Sequence, residues 1–140
     1  MLNARTLTRL QNTVNTARTA YAEAQALSET VSNAVLTANE YFDEDGQRIT
    51  SHRDDCMMND TDFATYLVQC GEEYARRGVN HDPELVYEEP FRVALRNAED
   101  ALIDACATIC PAIVKQALPE MRTHWKYRSE LVNLNMRLAI

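Results

Sequence analysis

The first 45 residues contain neither Gly nor Pro, and their apolar side chains recur with the period of an α-helix. With Leu7 taken as heptad position a, ten of the eleven a and d positions from Leu7 to Phe42 are apolar. An unbroken pattern of this length predicts one helix over about residues 3–42, roughly 60 Å long. The rest of the 140-residue chain has to fold around this helix.

The residues beside the apolar stripe indicate what the helix packs against. A two-stranded coiled coil usually carries ion pairs between its e and g positions. Here the g positions are small or apolar, and the e positions are almost free of charge. A wide apolar face of this kind is typical of a helix in a bundle. We therefore expect the helix to pack within its own chain, with a homodimer as the alternative. The e positions are Gln11, Arg18, Gln25, Ser32 and Asn39.

A second helix is predicted over about residues 61–77. Its apolar residues recur at helical spacing, and either Asn59 or Asp60 can cap its first turn. Gly78 is suited to end it, because glycine readily adopts the left-handed conformation that follows a helix. The segment before it, residues 43–60, is polar and irregular, and we expect an acidic loop there.

Helical spacing returns over about residues 90–138, where Pro111 and Pro119 interrupt the pattern. We expect helical segments, or one helix that is kinked at both prolines. The chain has only 3 Gly and 4 Pro, too few for the turns of a β-sandwich or barrel, and 46% of its residues are hydrophobic. The sequence thus predicts an all-α fold in a single domain over residues 1–140, a three- to four-helix bundle with a long N-terminal helix.

The net charge of −7 is unevenly distributed along the chain. Residues 1–39 carry +1 and residues 105–140 carry +3, whereas residues 40–104 carry −11. A negative field repels the phosphates of nucleic acids and membranes, and it attracts basic protein surfaces. We therefore expect a basic protein surface as the partner, with no direct binding to nucleic acid or membrane. The alternative is that the acids only keep the protein in solution.

Nine carboxylates of the middle segment are the candidate partner-binding residues. If they share one face, they present negative charge at a spacing similar to that of nucleic-acid phosphates. Small acidic inhibitors from phages and plasmids use this device to block nucleic-acid channels, and the likeness here is one of type, without a family motif. The candidates are Asp43, Glu44, Asp45, Asp54, Asp55, Asp60, Asp62, Glu72 and Glu73.

Four residues of the middle segment have metal-ligating side chains: His52, Cys56, Cys70 and His81. Structural zinc sites normally use closely paired ligands, such as two Cys separated by two residues, and these four lack such a pair. Cys70 also falls on the apolar face of the second predicted helix. We therefore expect ordinary core and loop residues, no metal or other cofactor, and reduced structural thiols at all four cysteines.

The cluster of His52, Asp54, Asp55 and Cys56 combines a nucleophile, a base and carboxylates. Catalytic Cys and His residues usually come from separate elements of a rigid scaffold, which neighbours in one loop do not provide. No nucleotide-binding, serine-hydrolase or metalloprotease motif occurs in the sequence. We therefore expect a protein that is not an enzyme.

A basic stretch with interleaved aromatic residues lies between Arg122 and Arg128. Such a stretch can bind a nucleic-acid strand through stacking and charge. On one helix, however, Trp125 and Tyr127 would lie about 200° apart and would not form one platform. We therefore expect Trp125 in the core, with Arg122 and Lys126 paired with acids of the middle segment.

These observations favour binding over catalysis. The specific hypothesis is an acidic interaction protein from a mobile element that inhibits a nucleic-acid-handling complex. The alternative is a helical adaptor or oligomeric structural subunit that uses the long helix as its interface, for which we would expect an exposed apolar stripe.

No stretch of 18 uncharged apolar residues occurs, and the N-terminus lacks the apolar core of a signal peptide. We therefore expect a cytoplasmic protein.

Overall fold

The computed structural model describes residues 2–82 and 84–140. Helices comprise 73% of the chain, and the prediction of an all-α fold is confirmed. None of the helices among the described residues is both long enough and apolar enough to cross a membrane. The described elements are α1 (Ala4–Ala38), a 3₁₀ helix (His52–Met57), α2 (Asp60–Arg76), α3 (Glu89–Ala107), α4 (Ala112–Thr123) and α5 (Trp125–Met136).

The chain divides into two compact units, each with its own apolar core. The terminal unit comprises Met1–Tyr21 and Phe91–Ile140, and the central unit comprises Ala22–Pro90. The first part of α1 belongs to the terminal unit and the remainder to the central unit. The apolar stripe of α1 is therefore covered within the chain in both units. Its buried a and d residues are Leu7, Val14, Ala24, Val31 and Val35.

α1 ends at Ala38 rather than at about residue 42 because the chain leaves the helix to bury an aromatic ring. The backbone amide and the side-chain amide of Asn39 both donate to the carbonyl of Val35, at 3.0 and 2.9 Å, and close the last turn of the helix. Tyr41 is then buried, and its ring meets that of Tyr66 edge-on at a centroid distance of 6.0 Å.

In the terminal unit, the first part of α1 packs on α3 and α5. Val14 shares an apolar cluster with Leu102 of α3. Gln11 Nε2 donates to the carbonyl of Asn135 in α5 at 3.0 Å. A second cluster joins α3, α4 and α5 through Ile103, Leu118, Leu131 and Val132.

The last helical segment is divided at Pro111 and at His124. Pro111 stands immediately before α4, where a residue without an N–H group sacrifices no helical hydrogen bond. Pro119 lies inside α4, and the boundary expected there lies instead at His124, whose backbone is extended with φ −85° and ψ 115°. This break allows α4 and α5 to pack together against Ile103 of α3. Three separate helices result, and the alternative of one kinked helix is not the one observed.

The second part of α1 and α2 form the core of the central unit, through Val35, Tyr66 and Cys70 among others. Between these helices the chain reverses in a tight turn, in which Phe42 pairs with Arg48.

α2 has the boundaries that its capping residues predict. Asn59 Oδ1 accepts a hydrogen bond from the amide of Asp62 at 2.8 Å and caps the first turn. At the other end, Gly78 has a φ of +78°, and the amide of Val79 donates to the carbonyl of Tyr74 at 2.9 Å. This is the Schellman arrangement in which a left-handed glycine ends a helix.

Candidate functional site

The two units differ strongly in charge. The central unit contains 16 Asp and Glu residues against 4 Arg residues, which gives a net charge of −12. The terminal unit contains 10 Lys and Arg residues against 5 Asp and Glu residues, which gives +5. All nine candidate carboxylates belong to the central unit, so the acidic segment coincides with one folded unit that has its own core.

Three of the nine candidate carboxylates take part in local structure, and a fourth lines a cavity. Asp43 Oδ1 accepts two backbone amides of its own turn at 2.9 Å, and Asp62 Oδ2 accepts from Asn59 Nδ2 at 3.0 Å. Glu73 is paired with Arg76 in the last turn of α2 and with Arg77 just after it, at 2.7 and 3.0 Å. Hydrogen bonds from these arginines hold the pKa of Glu73 below its ordinary value. Asp55 lies on the wall of a cavity, described below.

The other five candidates are exposed and form no ion pair within the described parts of the chain. At 100° per residue, Asp60 and Asp62 leave α2 about 200° apart, and Glu72 and Glu73 about 100° apart. The carboxylates of α2 therefore point to several sides of the helix and do not form a single row. The exposed, unpaired candidates are Glu44, Asp45, Asp54, Asp60 and Glu72.

Asp55 borders a cavity of about 390 Å³ inside the central unit. α1, the 3₁₀ helix, α2 and the segment that follows α2 all contribute to its wall. The wall combines aromatic rings with hydroxyl, thiol and carboxyl groups. Its polar and aromatic residues are Ser28, Ser32, Asp55, Phe63, Tyr66, Cys70, Tyr74, His81, Glu84 and Tyr87.

Three rings form one side of this cavity. The Tyr74 ring lies 4.9 Å from that of His81 and 4.7 Å from that of Tyr87, and the His81 and Tyr87 rings are 5.4 Å apart. The faces of such rings carry partial negative charge and attract cations. Because the rings hold one another in place, this side of the cavity is formed before any ligand enters.

The hydroxyl group of Tyr66 is buried at the cavity without a hydrogen-bond partner. Tyr66 is 1% exposed, and its Oη makes no hydrogen bond of normal geometry with the described residues. Its polar neighbours are Ser32, Cys70 and Asp55. Burial raises the pKa of Tyr66 and of Cys70, so both keep their protons at neutral pH. An unpaired buried hydroxyl costs about 1–3 kcal/mol, which a ligand that bonds to it can recover.

The carboxyl group of Asp55 is also poorly solvated. Burial raises its pKa most, and neighbouring Asp54 raises it further, whereas His52, the backbone amide of Cys56 and the nearby Tyr66 hydroxyl lower it. No Lys or Arg occurs among the described residues that line the cavity. A cation that entered would stabilise the ionised carboxylate. The arrangement therefore suits an organic cation that contacts aromatic faces, a carboxylate and a hydroxyl.

The four possible zinc ligands are not brought together. Cys70 and His81 both line the cavity, whereas Cys56 is exposed on the 3₁₀ helix and His52 Nδ1 lies 4.0 Å from Glu29 Oε1. Among the described residues, no three His, Cys, Asp or Glu side chains are grouped closely enough to hold a metal ion.

The possible catalytic cluster is likewise divided. His52, Asp54, Asp55 and Cys56 share the 3₁₀ helix, but Asp54 and Cys56 are exposed and Asp55 alone of the four lines the cavity. The thiol that does reach the cavity, Cys70, has its pKa raised by burial, and a protonated thiol is a poor nucleophile.

The prediction that Trp125 lies in the core is wrong, because its side chain is 79% exposed. The extended backbone at His124 starts a new helix, so Trp125 does not continue the apolar row of α4. The buried face of α5 instead includes Arg128 and Leu131.

The pairing predicted for Arg122 is present, with Asp104 Oδ1 at 2.6 Å, whereas the pairing predicted for Lys126 is not found among the described residues. Arg128 was missed as an ion-pairing residue of the core, and it donates to Asp100 Oδ1 at 2.8 Å. Arg128 precedes Leu131 by three residues, which places both on the inner face of α5. This helical spacing is the sequence signal that could have identified Arg128 as buried. A charged residue at such a position is easily assigned to the surface.

Comparisons with protein-family models, with curated proteins and with solved structures find no match to this chain.

Proposed function

We propose that the central unit is an acidic protein-binding module that docks a basic segment of a partner protein, with one Lys or Arg side chain entering the cavity beside Asp55. The observation that carries this proposal is the composition of the cavity. Its wall combines aromatic rings with a poorly solvated carboxylate, and no Lys or Arg occurs among the described residues of that wall. A basic side chain would supply the missing charge, and its amine or guanidinium group would hydrogen-bond to Asp55.

The surface around the cavity supports the same partner chemistry. The unit carries −12, and five exposed carboxylates have no ion pair within the described residues. A field of this sign accelerates encounter with a basic surface, and it is screened over about 8–10 Å at physiological salt. The field would guide the partner to the unit, and the cavity would hold one of its side chains.

The finer proposal is that the partner handles nucleic acid, because such proteins present basic surfaces, and that the module inhibits it as small phage and plasmid inhibitors do. In that case nucleic acid and the module should compete for the partner. The scattered directions of the α2 carboxylates do not favour imitation of a phosphate row. The adaptor alternative is not favoured by the structure, because the apolar stripe of α1 is buried within the chain.

The experiment compares two neighbouring carboxylates. Asp55→Asn and Asp54→Asn each remove one negative charge, but only Asp55 lines the cavity. Binding of a short fluorescent lysine-rich peptide, followed by anisotropy, should weaken by about tenfold or more for Asp55→Asn, since a hydrogen bond to a charged group contributes about 1.5–3 kcal/mol. Asp54→Asn should lower the affinity much less.

The probe has its own matched control. Acetylation of the lysines removes their charge and leaves the peptide otherwise similar, so the acetylated peptide should not bind. Equal affinities for the two peptides would refute the proposal. Equal effects of Asp54→Asn and Asp55→Asn would show that the cavity is not the site.

A further inference from the structure

Three rings form an exposed aromatic cluster where α4 meets α5. The His124 ring lies nearly parallel to that of Trp125, with 16° between the planes and 6.3 Å between the centroids. The same imidazole lies 4.6 Å from the ring of Tyr127, which is 50% exposed. Although Trp125 and Tyr127 leave α5 on different sides, His124 contacts both and joins them into one aromatic surface.

The exposure of Trp125 is unusual for a side chain of this size. Burial of a large apolar side chain stabilises a fold by about 1.5–3 kcal/mol, which the exposed indole does not contribute. Trp side chains are highly buried on average, so an indole that is 79% exposed needs an explanation beyond folding. A flat ring facing solvent is a surface on which another planar group can stack.

Cationic side chains lie next to this indole. Trp125 borders a pocket of about 260 Å³ whose described wall includes three arginines and one carboxylate, Glu99. Arg128 is engaged with Glu99 at 3.6 Å. Arg18 donates to a neutral asparagine at 3.1 Å, and Arg96 is exposed, with no ion pair among the described residues. Two positive charges therefore remain uncompensated beside the ring.

The terminal unit as a whole has the same sign of charge. It carries +5, and three of its five carboxylates are already engaged by Arg122 and Arg128. The net charge of −7, which makes nucleic acid an unfavourable ligand for the chain as a whole, comes from the central unit. The local field near Arg18 and Arg96 therefore attracts phosphate. The three engaged carboxylates are Glu99, Asp100 and Asp104.

We propose that the terminal unit binds single-stranded nucleic acid, with an unpaired base stacked on Trp125 and the neighbouring phosphates beside Arg18 and Arg96. Aromatic faces combined with uncompensated cations are the features by which proteins hold single strands. A duplex is a poorer ligand, because its base faces are covered by stacking and are not available to an indole. This site uses residues of the terminal unit alone, so its test is independent of the function proposed for the central unit.

The test uses the full chain and its sole tryptophan. Titration with oligothymidylate at low salt should quench the emission of Trp125, because the indole stacks on a base. Trp125→Ala should weaken the binding of a labelled oligothymidylate roughly fivefold to a hundredfold, the range for loss of one base–aromatic stack. Trp125→Phe should recover much of the affinity. Because the indole is exposed, the melting temperature of these variants should stay close to that of the wild type.

Two controls separate the contribution of the positive charges from the contribution of base stacking. Arg96→Glu should weaken binding more than Arg137→Glu, which makes the same charge change at an exposed site outside the pocket. An abasic oligonucleotide should bind weakly and with the same affinity to wild type and Trp125→Ala. The proposal is overturned by any of three results: no binding at low salt, equal affinity for duplex and single strand, or wild-type affinity in Trp125→Ala.

Discussion

Arg128 Nη1 of α5 donates a hydrogen bond to Asp100 Oδ1 of α3 at 2.8 Å, within the terminal unit. Among the described residues, Arg128 is the only charged one that is buried, and its Nη2 also lies 3.6 Å from Glu99 Oε1. The guanidinium thus sits on the inner face of α5, where its removal would leave Glu99 without its cation and Asp100 with only Arg122, at 3.9 Å.

Arg128→Met tests the contribution of this ion pair, because it removes the charge and keeps an unbranched apolar side chain. We expect the free energy of unfolding to fall by about 1–3 kcal/mol. This is below the roughly 3–5 kcal/mol of a fully buried pair, because the Asp100 side chain is 38% exposed. Urea unfolding measures the change. The matched control is Arg137→Met at an exposed arginine beyond α5, and an equal loss in both variants would contradict the assignment.

Substitutions in the two parts of α1 test how the units unfold. Leu7→Ala lies in the core of the terminal unit and Val31→Ala in that of the central unit, and each should cost about 2–4 kcal/mol. In the single domain predicted from the sequence, both variants lower one common calorimetric transition. If the units unfold separately, each variant lowers only the transition of its own unit. Gln25→Ala, at an exposed position of α1, serves as the control. Unchanged melting in both core variants would refute the packing of the stripe.

The raised pKa of Asp55 predicts a specific dependence of stability on pH. A group whose pKa is higher in the folded state stabilises the fold fully below its ordinary pKa, about 3.9, and this contribution is lost as the pH rises through the folded value. Asp55→Asn removes that loss. The variant should therefore melt at a higher temperature than the wild type near neutral pH, and the difference should shrink as the pH falls towards 4 and below.

Thermal melts across this pH range measure the effect, and Asp54→Asn is the control. Asp54 is exposed, so its substitution should give no comparable gain. A gain at neutral pH that persisted unchanged in acid would come from something other than the ionisation of Asp55.

The sequence predicts those parts of the fold that depend on neighbours along the chain. The stripe from Leu7 to Val35 indicates α1, and the capping residues Asn59 and Gly78 indicate α2 to within one or two residues. Periodicity and capping are local, because hydrogen bonds and side chains within one or two turns decide them. The expectation that the stripe is covered by its own chain also rests on a local pattern, namely the nearly uncharged e positions beside it.

The two proposed sites depend on contacts that no local pattern specifies. The cavity joins Ser32 of α1 to Tyr66 of α2 and to the segment beyond α2, and their spacing in sequence gives no sign that they meet. The sequence predicts that one helix runs through His124 and carries Trp125 in its apolar row. In the structure α4 and α5 pack on α3 as two helices with a break at His124, so the apolar row stops before Trp125.

The distribution of charge shows most clearly what the sequence decides and what the tertiary structure decides. The sequence by itself determines that the acids are concentrated in the middle of the chain, between mildly basic ends. Only the tertiary structure brings Met1–Tyr21 and Phe91–Ile140 together, so that the basic ends form one unit of +5 and the middle forms another of −12. The physical reason is that charges act through space over about 8–10 Å, and neighbours within that distance are chosen by long-range packing of the apolar core and not by order along the chain.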